Sequence, residues 1–493
     1  MLGPIILFLF FALVLADRTP LTVETSRGSV FGFHEDLGDG DLFHGEADVF
    51  LSIPYAQPPI GELRFKVPRP ICSYGDGVNA TYYKAQCPQI GSFRDPLEPP
   101  LHPSDDCLFI NVVSPSVEGN YPVMFWIHGG GLTFGSSEVY DYKGGIQNFV
   151  NNGVVLVSIN YRLGMTGFFT TYTDDIPPNR GIFDMVLALR WVQEEIANFG
   201  GDPTQVTIFG ESAGSVSVSV LSLSPLTRGL FQRVLQQSGS TYIAYAVPNK
   251  PTGDKSQTRA ETICGFTKAQ WDAGDFTALH TCLNSKTSEE FTQYDSPTLE
   301  DLGTGAWAVT LDGAIFPNTP SVLARDRPNY PAFIGNVNNE WAIFMSFDLS
   351  QYNSTYLARA TASDFGEDTP TISEIIRKTY EYANIDDNDH VGWFTVAEKA
   401  MTDMEFMSQS RRDAQWYLNN GNKEVYMYNF NWKEPTPCKT VNVGGVPMAF
   451  HAGDNCYLWK FPYYWLNNTI SPSLTEGDRQ LSDFMGKAWT NFA

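Results

Sequence analysis

The stretch "QVTIFGESAGSVSVSVLSLS", residues 205–224, constrains the fold more than any other part of the chain. An apolar, strand-like run passes without a spacer into a helix, and the turn between them holds Ser212 between Gly210 and Gly214. A G-x-S-x-G pentapeptide arises by chance in many glycine-containing chains, so its letters alone decide nothing. Its place does. At a strand-to-helix junction the two glycines permit a strained turn and close approach of neighbouring backbone. The serine hydroxyl then stands above the end of a sheet with a helix N-terminus beneath it.

A sheet of that kind is legible on both sides of the turn. "PVMFWIHGGG" carries an apolar run from Val123 to Ile127 that stops at three glycines, and "GVVLVSINYR" a second from Val154 to Ile159. Continuous apolar runs of this length predict strands buried on both faces. Apolar residues at Ile182, Met185, Val186, Leu189, Val192 and Ile196 have helical spacing, and Gly200 with Gly201 ends that helix after Phe199. "RVLQQSG", "PAFIGNV" and "VYMYNF" predict further strands. Strand and helix alternating in this way predict the α/β class, with a mostly parallel central sheet covered by helices on both faces. No Pro/Gly/Ser-rich linker interrupts the pattern. Residues 17–493 are therefore expected to form one domain, with 20–115 and 245–420 as elaborations of the core.

The formal charge of -23, from 55 acidic and 32 basic residues, disfavours nucleic acid and anionic lipid surfaces as partners. At the N-terminus, Ile5 to Leu15 is unbroken and apolar but too short to span a bilayer. With the small residue Ala16 behind it, residues 1–16 are expected to be a signal peptide cleaved before Asp17, the alternative being an uncleaved anchor. Entry into the secretory pathway makes the seven cysteines readable as disulfides. Spacing pairs Cys87 with Cys107, Cys264 with Cys282 and Cys438 with Cys456, and leaves Cys72 single. Glycosylation sequons stand at Asn79, Asn353 and Asn467. No Cys or His spacing suggests a metal, and no cofactor is expected.

A serine hydroxyl is a weak nucleophile until a base takes its proton. In α/β enzymes with this elbow the chain order is nucleophile, acid, base, which leaves His280, His390 and His451. His280 adjoins a disulfide cysteine and His390 lies in the acidic run "IDDNDH", so His451 in "MAFHAGDN" is the candidate. The acid that orients the imidazole belongs just beyond a strand end between the two. Glu340 in "AFIGNVNNEW" fits, with Asp312 and Asp348 as rivals. Donors for a developing oxyanion come from the residue after the nucleophile and from a glycine-rich loop after an earlier strand. These are the N–H groups of Ala213, Gly130 and Gly131.

Taken together, "LSIPYAQPPIGELRF", "SDDCLFINV", "WIHGGGL", "NYRLGMTGF", "FGGDPTQVTIFGESAGS", "LQQSGS", "FIGNVNNE" and "FHAGD" resemble the type B carboxylesterases and cholinesterases of the α/β-hydrolase fold. They stand in the family's order from about residue 20 to the end. The resemblance implies a Ser212–Glu340–His451 triad in a secreted serine esterase acting on a small carboxylic ester. It also implies Cys87–Cys107 and Cys264–Cys282 as the first two disulfide loops, and Arg64–Asp105 and Arg162–Asp184 as buried ion pairs. Glu211, Ser238 and Asp454 are implied as polar groups behind the triad.

Three departures narrow the reading. In cholinesterases the first disulfide loop carries a tryptophan that holds the choline cation, whereas residues 88–106 contain Phe93 as their one aromatic, in a shorter loop. A carboxylesterase is expected instead. Ser215 replaces the more usual Gly or Ala and should leave the elbow intact. The chain stops at "KAWTNFA", where family members run on, so a C-terminal tail is expected to be missing and folding to be marginal without it. The rival readings are a non-catalytic adhesion protein of the same fold and a lipase or hormone-type esterase.

Overall fold

The computed structural model describes residues 18–89, 91, 96–242, 245–246, 255–294, 307–346, 348–357, 359, 369–380, 385–433, 441–467 and 474–493. The expected signal peptide 1–16, Phe93 and Cys438 lie outside the described residues.

Among the described residues, eleven strands build one sheet. In chain order they begin with Thr19–Thr25 (β1), Gly28–Asp39 (β2), His44–Pro54 (β3), Val78–Asn79 (β4), Phe109–Ser114 (β5) and Tyr121–Ile127 (β6). Val155–Ile159 (β7), Gly201–Glu211 (β8) and Arg233–Gln237 (β9) follow. Tyr245–Ala246 (β10) and Val309–Thr310 (β11) form a separate parallel pair, before Ala332–Val337 (β12) and Val425–Phe430 (β13) rejoin the large sheet. Val441–Val443 (β14) and Val446–Met448 (β15) make a small antiparallel ladder.

The large sheet runs β1-β2-β3-β5-β7-β6-β8-β9-β12-β13, with β4 paired to β2. Along that path the N-terminal edge is antiparallel as far as β7, with β4 parallel to β2, and every pair from β7 to β13 is parallel. The parallel strands β6, β8, β9 and β12 therefore all end at the same edge of the sheet, and the loops leaving them share that edge.

Continuous apolar runs form strands here because both faces are covered. Along β6, Val123, Phe125 and Ile127 enter the core that also holds Ile182, Met185, Leu189 and Val192. Met124 and Trp126 enter the core of the opposite face. There Trp126 packs against Phe209 and Trp459, with ring centroids 4.8 and 4.9 Å away. Each such side chain contributes about 1.5–3 kcal/mol when fully buried. The helix expected over 182–199 occupies Arg180–Glu195 and tightens into a 3-10 turn at Ile196–Phe199. Gly200 stops it at φ 82°, a conformation that favours glycine.

Charge and covalent links fasten the elaborations to this core. Arg162 holds Asp184 with two bonds, Nη2 to Oδ1 at 2.7 Å and Nε to Oδ2 at 2.9 Å, in full burial. Arg64 meets Asp105 at 2.9 Å, but this pair is a correction to the expected burial. The two side chains keep 16% and 17% of their surface open to solvent, even though Arg64 also donates to Lys286 O and Ser288 Oγ donates to Asp105. Disulfides join Cys87 to Cys107 and Cys264 to Cys282. Cys456 is disulfide-bonded, and Cys72 is free and exposed. Asn79 is exposed, while Asn353 and Asn467 are half-buried. No described helix is long and apolar enough to cross a membrane.

Candidate active site

Ser212 is the hinge between β8 and the helix Ala213–Leu223, at φ 56° and ψ -124°. A non-glycine residue held in so sparsely populated a region stores about 1–3 kcal/mol of strain. Its neighbours allow the turn because they lack side chains. A Cβ on Gly214 would run into Ile127 O and lie 2.8 Å from His128 O, both at the end of β6. A Cβ on Gly129 would lie 2.8 Å from Glu211 O and 3.0 Å from Ser212 Cβ. The glycine loop after β6 thus lies directly against the serine.

Within that loop Gly130 and Gly131 have φ of 105° and 60°, and Thr133 N and Phe134 N donate to Gly130 O. Ala213 opens its helix, so its N–H has no acceptor four residues back. Among the described residues, the N–H groups of Gly130, Gly131 and Ala213 donate no backbone hydrogen bond. The loop is held from behind by His128, whose ring stacks on Tyr161 with centroids 4.4 Å apart. His128 Nδ1 lies 2.9 Å from Gly129 O, and Tyr161 OH donates to His128 O at 2.8 Å. Burial lowers the His128 pKa to about 4, so the imidazole is neutral and donates through Nδ1. The "IHGGGL" motif contained this histidine, and only its glycines drew attention.

Glu340 follows β12 in a 3-10 turn and is fully buried. Its Oε1 accepts from Asn336 Nδ2 at 3.0 Å and Val337 N at 2.9 Å. Its Oε2 lies 2.6 Å from His451 Nδ1. The histidine loop is brought to the acid by backbone pairing, since Asn339 N donates to Ala449 O at 2.9 Å and Asn339 bridges Phe450. The rival groups stand elsewhere. Asp312 closes a turn onto Ala314 N and Phe316 N, Asp348 caps the turn at Ser350, His280 faces Asp175 and His390 meets Tyr352 O.

His451 Nε2 faces Glu211 Oε1 at 3.2 Å and, among the described residues, has no hydrogen-bond partner, Ser212 Oγ included. Phe344 and Phe406 flank the imidazole with centroids 5.2 and 5.0 Å away. Nothing in the sequence pattern singled out these two rings. Asp454 accepts from Gln237 Nε2 and Tyr428 OH, each at 3.1 Å. Ser238 is buried at the end of β9 with its Oγ unpartnered, while Ser215 Oγ donates to Gly239 O at 2.7 Å.

Burying three carboxyl groups around one imidazole makes negative charge costly and positive charge welcome. Burial above all, then Asp454 and Glu340, push Glu211 up to about 8. Asp454 is also raised, chiefly by burial. For His451 burial works downward, but Glu211, the bond and charge of Glu340, and Asp454 outweigh it and raise the imidazole to about 9. Among the described residues no group of three His, Cys, Asp or Glu side chains is arranged to hold a metal. A strained serine, a backbone-donor loop and a carboxylate-bound imidazole are the parts that acyl transfer needs.

The comparisons agree with that chemistry. The sequence pattern of the carboxylesterase family matches residues 19–493. The chain is 31% identical to liver carboxylesterase 1 of Oryctolagus cuniculus over 96% of its own length and 85% of that protein. It is 31% identical to carboxylesterase 1C of Mus musculus over the same shares. Gut esterase 1 of Caenorhabditis briggsae is 35% identical over 73% of this chain, which spans 61% of that relative's length. The chain belongs to the carboxylesterase family, with the α/β-hydrolase fold, and both the family match and these esterase relatives support carboxylic ester hydrolysis.

Proposed function

We propose that this protein is a secreted serine carboxylic-ester hydrolase working through an acyl-enzyme on Ser212. The observation that carries the reading is the 2.6 Å contact of Glu340 Oε2 with His451 Nδ1 beside a serine held at φ 56°. Glu340 sets the tautomer with Nε2 free to act as base. Ser212 Oγ attacks the ester carbonyl as Nε2 takes its proton, which requires the imidazole to turn from Glu211 towards Oγ when substrate enters. Apo geometry of this loose kind tightens in the substrate complex. The N–H groups of Gly130, Gly131 and Ala213 receive the oxyanion, each worth about 3 kcal/mol of transition-state stabilisation.

His451 then hands the proton to the departing alcohol, leaving the acyl group on Oγ. Water attacks that ester with His451 again as base, a second oxyanion forms and collapses, and the acid leaves as Ser212 recovers its proton. Glu211 stabilises the imidazolium from the Nε2 side, and Ser238 and Asp454 supply buried polar groups behind the triad. Phe344 and Phe406 give the site an apolar wall, which favours esters with apolar acyl or alcohol groups. The two disulfides and the apolar run Ile5–Leu15 ahead of Ala16 support a secretory location.

The test is Ser212→Ala assayed on a short-chain aryl ester, with organophosphate labelling of the parent protein. The expected result is a loss of roughly a millionfold in kcat and a covalent adduct at Ser212. Undiminished turnover in the variant, or a parent protein that takes no label as an adhesion protein would not, defeats the reading. A choline ester should be turned over poorly, since residues 88–106 contain no tryptophan.

A further inference from the structure

A buried carboxylate that the proposed chemistry does not use lies behind the acid. Glu398, fully buried on the helix His390–Met401, accepts from Asn339 Nδ2 at 2.9 Å through Oε2 and from Thr402 Oγ1 at 2.7 Å through Oε1. Thr402 Oγ1 in turn accepts from Trp341 N at 2.9 Å. Asn339 and Trp341 are the residues on either side of Glu340. The second arm reaches further, because Asn339 Oδ1 accepts from Ala449 N at 3.3 Å, two residues before His451. The helix widens at this point into a π turn, Thr402–Met407, whose Phe406 packs on the imidazole. Such turns are costly and recur at functional sites.

The donor pattern suits a carboxyl side chain. Thr402 Oγ1 accepts from Trp341 N and gives its own hydrogen to Glu398 Oε1. The Asn339 amide is likewise fixed, with its nitrogen towards Glu398 and its oxygen towards Ala449. Two donors converge on two oxygens. A glutamine serves both arms only by reversing the Thr402 bond, its N–H donating to Oγ1 while the Thr402 hydrogen must find another acceptor.

We propose that Glu398 is a positioning residue that fixes the acid and histidine loops to each other by clasping both neighbours of Glu340. Its kinetic consequence rests on the ester-hydrolase reading. Misplacing a reacting group by about 1 Å costs on the order of a hundredfold in rate.

The test compares Glu398→Gln and Thr402→Val in the full chain, with active sites titrated by an organophosphonate so that kcat is expressed per labelled serine. Val396→Ala, on the same helix and buried in its core, is the control for lost stability. In Glu398→Gln, kcat per site should fall roughly 10- to 100-fold with KM within about twofold. Thr402→Val, which cuts only the Trp341 arm, should fall less. The low-field proton resonance of His451 Nδ1 should shift or broaden in both variants and stay in place in Val396→Ala. If Glu398→Gln does not fold, Thr402→Val decides. An unchanged resonance and per-site kcat in the folded variants, or equal losses in Val396→Ala, overturns the proposal. A parent protein with neither turnover nor labelling overturns the hydrolase reading alone, since the resonance still reports on the clasp.

Discussion

Glu211 Oε1 stands 3.2 Å from His451 Nε2, the ring nitrogen that must take the serine proton. A carboxylate there stabilises the imidazolium and so opposes the neutral base, and burial answers by pushing Glu211 up to about 8. The two groups set each other's protonation.

Replacing Glu211 by Gln removes the largest of the influences that raise His451, which otherwise reaches about 9. The base must be neutral to act, so kcat/KM of the parent protein rises with pH through the folded value of the imidazole. In the variant that rise should move to lower pH, towards the ordinary imidazole value of about 6.5. A pH series of kcat/KM on one aryl ester reads the shift, and a midpoint that stays or climbs contradicts it.

Gly214→Ala puts a methyl group into Ile127 O and 2.8 Å from His128 O, backbone atoms that cannot turn away. Overpacking of this kind costs about 1–3 kcal/mol, and here it also displaces the glycine loop from Ser212. Chemical denaturation should show the loss, and activity per folded molecule should drop with it. A folded, fully active variant would falsify the close approach.

Asp184→Ala leaves the Arg162 guanidinium buried without its carboxylate. Breaking one side of a fully buried pair costs about 3–5 kcal/mol. The partly open pair should behave differently: Asp105→Ala is expected to cost about 1 kcal/mol or less. Urea midpoints of the two variants, measured side by side, decide whether burial sets the difference.

Glu398 is raised from 4.5 to about 7, first by burial and then by Glu340, against the bonds from Thr402 and Asn339. A carboxyl whose folded value is raised binds its proton more tightly in the native state. Its contribution to stability is complete below pH 4.5 and is lost as pH rises through about 7. The advantage of the parent protein over Glu398→Gln in thermal unfolding should therefore shrink across that window. A gap that widens with pH reverses the sign and contradicts the assignment.

The parallel half of the sheet was legible because strands buried on both faces are apolar at nearly every position, as Val123–Ile127 is throughout and Val154–Ile159 is but for Ser158. The nucleophile was legible because a strained turn needs its glycines, and strain leaves a local mark. Glu340 was less so: its own neighbourhood did not separate it from Asp312 and Asp348, and the family resemblance did. Glu398, Phe344 and Phe406 left no mark at all. They meet the site through contacts across 59 residues, from Asn339 to Glu398, and across the fold from residue 344 or 406 to 451. No spacing rule reaches that far. Arg64 and Asp105 were matched correctly as a pair, but solvent access depends on their tertiary surroundings.

The oxyanion loop, the serine, Ser238 and the glutamate leave the ends of β6, β8, β9 and β12, four parallel strands with a common edge. Chemistry is thereby anchored to backbone that tolerates little change, while described helices such as Ser256–Cys264 and Thr277–Ser285 lie in the insertion between β9 and β12. Descendants of such a chain can trade the segment between β9 and β12, and with it the choice of ester, without moving the strand ends that hold the reacting atoms.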